Sequence, residues 1–117
     1  MKESPRDKTS DAARIEKSIE RGLRYLVSQQ REDGGMEPSA SGVLACYKVP
    51  LAFALTGELR RLTGLARWMM ENLPSGDGRL RGKQSLGAFH DKFLTYTQAW
   101  ITLGFLRGGF YGEAQGL

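Results

Sequence analysis

His90 and Asp91 are adjacent residues with acid/base side chains, in a segment expected to be a loop before a helix. Histidine titrates near neutral pH, so the two groups could act as general acid and base if both faced one pocket. Adjacent side chains often point apart, and a carboxylate at a helix start also offsets the positive end of the helix dipole. Catalysis by His90 and Asp91 and a helix-start role for Asp91 are both open.

Positive charge is locally concentrated at Arg79, Arg81 and Lys83, in a chain of 117 residues with a net charge of +4. Three neighbouring cations could clamp a diphosphate or another acidic group, although loop cations are also commonly just solvated. The remaining positive residues are scattered, and no nucleic-acid recognition motif accompanies them. We therefore expect no nucleic-acid partner.

Cys46 is the single cysteine of the chain and His90 the single histidine. One cysteine forms no internal disulfide, and the two residues together cannot supply a closed four-ligand zinc site. The sequence also has no phosphate-binding glycine loop, nucleophile elbow or two-histidine metal motif. We expect no metal and no cofactor, and we interpret Cys46 as a small buried residue.

Hydropathy predicts no membrane span, because the longest apolar run, residues 49–55, is far shorter than the roughly 20 residues that cross a bilayer. Residues 1–11 are polar and mixed in charge, without the apolar centre of a secretory signal. They are predicted to be a disordered tail ahead of one domain, residues 12–117, and a cytoplasmic location is expected.

Apolar periodicity predicts a helix that starts near Ser10 or Asp11 and ends at Gly34 and Gly35. Its stripe has the spacing of one helix face and consists of Ile15, Ile19, Leu23, Leu26 and Gln30. A second helix is expected from Tyr47 or Lys48 to Gly57, with Pro50 tolerated in its first turn. This helix is apolar on nearly all sides, which predicts burial all round.

Two further helices are predicted, an amphipathic one over residues 58–73 and a largely apolar one over about residues 94–107. The stripe of the first consists of Leu59, Leu62, Ala66, Met69 and Leu73, and its other face carries Arg60, Arg61, Arg67 and Glu71. An amphipathic helix followed by an apolar helix, twice, suggests two layers with the apolar helices inside. The expected fold class is all-α.

A unit of this chain occurs nearly twice. Asp33 and Asp77 lie 44 residues apart in aspartate-glycine turns that they are expected to organise, and Gly57 and Gly108 close apolar helices 51 residues apart. A third opening begins at Phe110 and stops at the end of the sequence. We therefore expect stacked antiparallel helical hairpins that form a piece of a longer array.

The segment 22–30, which ends in two glutamines and runs into Asp33, Gly34 and Gly35, resembles the repeated motif of terpenoid cyclases and protein prenyltransferase β subunits. Met36 stands where triterpene cyclases usually have tryptophan. The resemblance spans residues 15–117 and implies part of an α/α toroid, a ring of helical hairpins whose inner helices line a cavity. Sugar-processing enzymes with six hairpins share this architecture, and fold does not decide between their chemistries.

The resemblance implies that the starts of inner helices face the cavity, which would place Tyr47, Lys48, Tyr96 and Trp100 in its wall and the Arg79 cluster at its rim. Aromatic walls suit an isoprenoid-like chain or a carbocation, although aromatics at helical spacing also simply pack. The Asp-x-Asp-Asp run of class II cyclases and the zinc ligands of prenyltransferases are absent from the sequence, so neither chemistry is carried over.

Three functions follow as hypotheses. The chain is a toroid piece, inactive alone, that self-associates or binds a second chain which completes the ring. Alternatively it is a small helical module that binds a protein or an apolar ligand. The third hypothesis is an enzyme that uses His90 and Asp91.

Overall fold

The computed structural model of the chain describes residues 8–38, 43, 45–73 and 94–115, and these residues form five helices. They are α1 (Lys8–Gln29), α2 (Val49–Leu55), α3 (Leu59–Asn72), α4 (Leu94–Arg107) and α5 (Tyr111–Gln115). The β pairing in this part of the chain is an isolated bridge between Gln30 and Met36. The predicted all-α class is confirmed.

Helix boundaries agree closely with the sequence pattern. Helix α1 begins at Lys8, before the predicted start at Ser10 or Asp11, so residues 8–11 of the expected tail are helical. Helix α2 begins at Val49, which puts Pro50 in its first turn as predicted. Helix α3 is one residue shorter at each end than predicted, and α4 has the predicted range.

The core lies between α2, α3 and α4, and α2 packs most extensively against α4. Its largest fully buried side chains include Phe53, Phe105, Leu62, Leu65, Met69 and Ile101. The prediction that α2 is buried all round is wrong, because Leu55 at its end is 61% exposed. Val49, Pro50 and Phe53 take the covered face of α2.

Helices α2 and α4 approach each other closely at Gly104. A Cβ atom there would lie 2.6 Å from the backbone nitrogen of Leu51 and 2.6 Å from the Cβ of Pro50, so only glycine fits this crossing. Tyr96 contacts Tyr47 one end further back along both helices. Because these contacts advance together along the two helices, α2 and α4 run in the same direction.

The repeat is visible at the ends of α2 and α4, which close with the same hydrogen bonds. The amide of Glu58 donates to the carbonyl of Phe53 at 2.9 Å, and the amide of Phe110 donates to the carbonyl of Phe105 at 2.8 Å. The residues in between include Gly57 and Gly109, each with positive φ. This is the Schellman arrangement, in which glycine takes the left-handed position after the helix.

The structural repeat is 52 residues long, as the separation of Phe53 from Phe105 and of Gly57 from Gly109 shows. The glycine in the left-handed conformation is therefore Gly109, one residue after the helix-closing Gly108 of the sequence analysis. Helices α3 and α5 also begin 52 residues apart, at Leu59 and Tyr111. The pairs α2–α3 and α4–α5 are thus copies of one unit.

Candidate functional site

Three of the predicted aromatic residues and Lys48 come together where α2 and α4 begin. The ammonium nitrogen of Lys48 lies 5.2 Å from the ring centroid of Trp100, 5.7 Å from that of Tyr47 and 6.0 Å from that of Tyr96. All three distances are within or at the range of cation–π attraction. We call Tyr47, Tyr96 and Trp100 the aromatic cluster.

The aromatic rings also contact one another edge to face. Tyr47 and Tyr96 have ring centroids 6.0 Å apart, and Tyr96 and Trp100 have centroids 6.3 Å apart. Such pairs place the positive edge of one ring against the negative face of the next. These contacts hold the rings in place around the Lys48 ammonium.

Local sequence explains how the aromatic cluster is assembled. Tyr96 and Trp100 are four residues apart on α4, so they share one face of the helix. Lys48 is the residue that caps the start of α2, and Tyr47 precedes it. The close approach of the two helices at Gly104, one turn beyond Trp100, brings the two sets together.

Electrostatics at the aromatic cluster favour a cation. Lys48 is exposed, and among the described residues no carboxylate forms an ion pair with it. Tyr96 is 47% exposed, so the cluster is open to solvent. The arrangement can bind a cation or an apolar group, and binding by these four residues remains a prediction.

The other predicted site residues, Arg79, Arg81, Lys83, His90 and Asp91, lie outside the described residues, as does Asp77. The acid/base and diphosphate-clamp hypotheses therefore stay predictions.

Asp33 organises the turn after α1, as predicted, because its carboxylate accepts a hydrogen bond from the amide of Gly35 at 2.9 Å. Arg31 completes this turn: its guanidinium donates to the carbonyl of Met36 at 2.7 Å and lies 5.2 Å from the ring centroid of Trp68 on α3. Sequence reasoning missed Arg31 and Trp68, whose meeting depends on how α3 packs beside the turn.

Gln30 ties the same turn to α3. Its side-chain amide donates to the carbonyls of Gly34 and Arg61, both at 3.0 Å. A Cβ atom at Gly34 would overlap the carbonyl oxygen of Gly64, so the turn needs glycine for space as well as for its φ of 96°. The glutamine and glycines of the resembling motif thus hold α1 against α3.

An open apolar groove of about 620 Å³ lies between α1 and α2. Its apolar lining consists of Ile19, Leu23, Leu26, Ala52 and Leu55, and Glu20 and Thr56 contribute polar atoms. We call it the α1 groove. It combines the predicted stripe of α1 with the exposed side of α2 that the sequence analysis had expected to be buried.

Cys46 is buried in the core, as predicted. Burial raises the pKa of its thiol from 9.0 to about 12, against a smaller lowering by the charge of Arg31. The thiolate is the nucleophilic form, so Cys46 is unreactive at neutral pH.

Within the described ranges, no three cysteine, histidine or acidic side chains are grouped closely enough to hold a metal ion. No helix in the described part of the chain combines the length and apolar character of a membrane span. Comparisons with protein families, curated proteins and solved structures find no match to this chain.

Proposed function

We propose that this protein is a partial α/α toroid that functions by association and has no catalytic activity as an isolated chain. Its partner is a second copy of the chain, whose α1 helix packs on the exposed apolar stripe of α1 and on the α1 groove. The observation that carries the proposal is the continuation of this stripe beyond the core.

The α1 stripe divides into a covered and an uncovered half. Leu23 and Leu26 pack against the core, whereas Ile15 is 61% exposed and Ile19 is 51% exposed. All four lie on one side of the helix at spacings of four, four and three. Large aliphatic residues in a continuous exposed stripe mark an association surface.

A helix fits this surface better than a small ligand does. The stripe from Ile15 to Leu26 extends for about 17 Å at a rise of 1.5 Å per residue, so it continues past the groove. An amphipathic helix laid in a groove covers such a length with side chains at helical spacing. The second copy supplies one, since its own α1 carries the same stripe.

Charge on α1 permits this pairing. Helix α1 carries positive and negative side chains within each turn: Asp11, Arg14, Glu16, Lys17, Glu20, Arg21 and Arg24. A helix with both signs interspersed is not repelled by a copy of itself, and salt bridges can form along the edges of the contact.

The repeated unit supports the toroid assignment. Helices α2 and α4 occupy equivalent places in two copies of one unit, pack against each other and run in the same direction. A ring of helical hairpins requires this relation between successive inner helices. The second copy of the chain would add further units to the array.

The test is the replacement Ile15→Glu, compared with Ala13→Glu. Both positions are exposed and on α1, and both changes add one negative charge, but Ala13 lies on the side of the helix away from the stripe. A glutamate forced into an apolar contact without a partner costs about 3 to 5 kcal/mol. The dissociation constant should therefore rise by at least about a hundredfold for Ile15→Glu.

Analytical ultracentrifugation across a range of concentrations measures the association. We expect wild type and Ala13→Glu to form dimers with similar affinity and Ile15→Glu to be monomeric, with equal helix content by circular dichroism. A wild-type chain that is monomeric throughout, or an Ile15→Glu variant that associates like wild type, contradicts the proposal.

The alternative function is that of a module that binds an isoprenoid-like chain, and the size and lining of the α1 groove favour it as the second candidate. Pockets for small ligands have volumes of about 300 to 1,000 Å³, and the groove lies within this range. Its lining is mostly apolar, which also argues against sugar as the ligand. A monomeric wild-type chain that binds farnesol, with loss of binding in a Leu55→Glu variant, would favour this alternative.

A further inference from the structure

We propose that the aromatic cluster is a binding site for an alkylated ammonium ion, and that the Lys48 side chain occupies this site until such a ligand displaces it. The proposal concerns the start of α2 and α4 and is independent of association through α1.

The position of the Lys48 ammonium shows that the cluster accepts a cation. One nitrogen lies 5.2 to 6.0 Å from three ring centroids. Lys48 is at the surface, and no described carboxylate holds it there by an ion pair. Attraction to the electron-rich ring faces is the interaction that the described structure offers this ammonium.

An alkylated ammonium suits the site better than lysine does. The lysine ammonium is compact and strongly hydrated, so it loses water when it approaches the rings. A quaternary ammonium spreads its charge over methyl groups, has no hydrogen to donate to water and presents apolar surface to each ring. Aromatic cages recognise such groups in general.

Displacement of Lys48 requires no rearrangement of the core. Its long side chain extends from the residue that caps α2 and is exposed, so the ammonium can move into water. Tyr96 is 47% exposed and keeps an entrance open. A surface cation–π contact of the usual strength would weaken a competing ligand by about two- to fivefold.

The experiment compares choline with its uncharged isostere, 3,3-dimethylbutan-1-ol, as probes of the full chain. The N-methyl proton signals of choline are followed by NMR as the protein is added, because protons above aromatic faces shift upfield. Four proteins are compared: wild type, Lys48→Met, Tyr96→Leu and Tyr25→Leu. Tyr25 is a matched control, since it is 64% exposed and lies on α1, away from the cluster.

The expected result is a saturable upfield shift of choline with wild type and about two- to fivefold tighter binding to Lys48→Met. Tyr96→Leu should bind choline at least several-fold more weakly than Tyr25→Leu, which should match wild type. The neutral isostere should bind more weakly than choline to every variant.

Three outcomes would overturn the proposal. Choline fails to bind even to Lys48→Met, or the neutral isostere binds as tightly as choline, which would make the cluster an apolar surface only. Equal binding to Tyr96→Leu and Tyr25→Leu would place the choline elsewhere on the protein. Because Tyr96 and Tyr25 are both exposed, unfolding of the variants is not expected, and circular dichroism checks this directly.

Discussion

Replacement of Gly104 by alanine tests the close approach of α2 and α4, on which both the repeat and the aromatic cluster depend. The added Cβ would lie 2.6 Å from the nitrogen of Leu51, 2.6 Å from the Cβ of Pro50 and 2.8 Å from the carbonyl carbon of Pro50. Two of these atoms belong to the backbone, so no side-chain rotation relieves the overlap. The two helices must move apart.

Two opposing free energies set the size of the effect. Overpacking of a well-packed contact costs about 1 to 3 kcal/mol. Alanine in place of glycine inside a helix stabilises by about 1 kcal/mol. Gly104→Ala is therefore expected to lower the free energy of unfolding by up to about 2 kcal/mol, in spite of its better helix propensity.

Gly22→Ala is the matched control. Gly22 also lies inside a helix, α1, but a Cβ atom there would meet nothing within 4 Å. This variant should gain about 1 kcal/mol from helix propensity alone. The two alanine variants should thus differ by about 1 to 3 kcal/mol, and each kcal/mol corresponds to about 4 °C in Tm.

The assay is urea unfolding of wild type and both variants, followed by tryptophan fluorescence and by circular dichroism. Trp100 lies beside the α2–α4 crossing and reports it directly. The reasoning is refuted if Gly104→Ala is as stable as Gly22→Ala, because the helices would then have room for a methyl group at this point.

Two more predictions concern the core and the turn after α1. Because the thiol pKa of Cys46 is about 12 in the folded chain and 9.0 in the reference state, the unfolded chain binds fewer protons between these values. The stabilisation is complete below pH 9 and falls through this interval by up to about 1.4 kcal/mol per pH unit, and urea unfolding should show a steeper loss for wild type than for Cys46→Ala. Gly34→Ala should destabilise by about 2 to 5 kcal/mol, from left-handed strain plus overlap with Gly64, whereas Gly57→Ala, with open space at its Cβ, should lose about 1 to 2 kcal/mol. Equal thermal stability of these two glycine variants would contradict the packing of the turn on α3.

The helices themselves could be predicted because their signals are local. Periodic apolar residues gave the range of α4, and Pro50 correctly limited the start of α2. The repeat was also recognisable, although its length of 52 residues differs from the 51 expected from the helix-closing glycines. The difference arises because the left-handed residue is chosen by the hydrogen bonds of the Schellman turn, and Gly108 and Gly109 are both available in the sequence.

The exposure of α2 could not be predicted in the same way. An apolar helix of seven residues has the same composition whether it is surrounded or left open on one side. Leu55 is exposed because the described neighbours of α2 cover its other face. The α1 groove follows from this arrangement and not from either helix alone.

The sequence by itself determined the class of this protein, the position of its helices, the aspartate-glycine turn after α1 and the burial of Cys46. These features depend on hydrogen bonds and side-chain periodicity over a few neighbouring residues. Only the tertiary structure decided that Lys48 meets three aromatic rings and that Gln30 and Arg31 hold the turn against α3. Those contacts join residues from separate helices, and their distances depend on helix crossings that glycine at positions 34 and 104 makes possible.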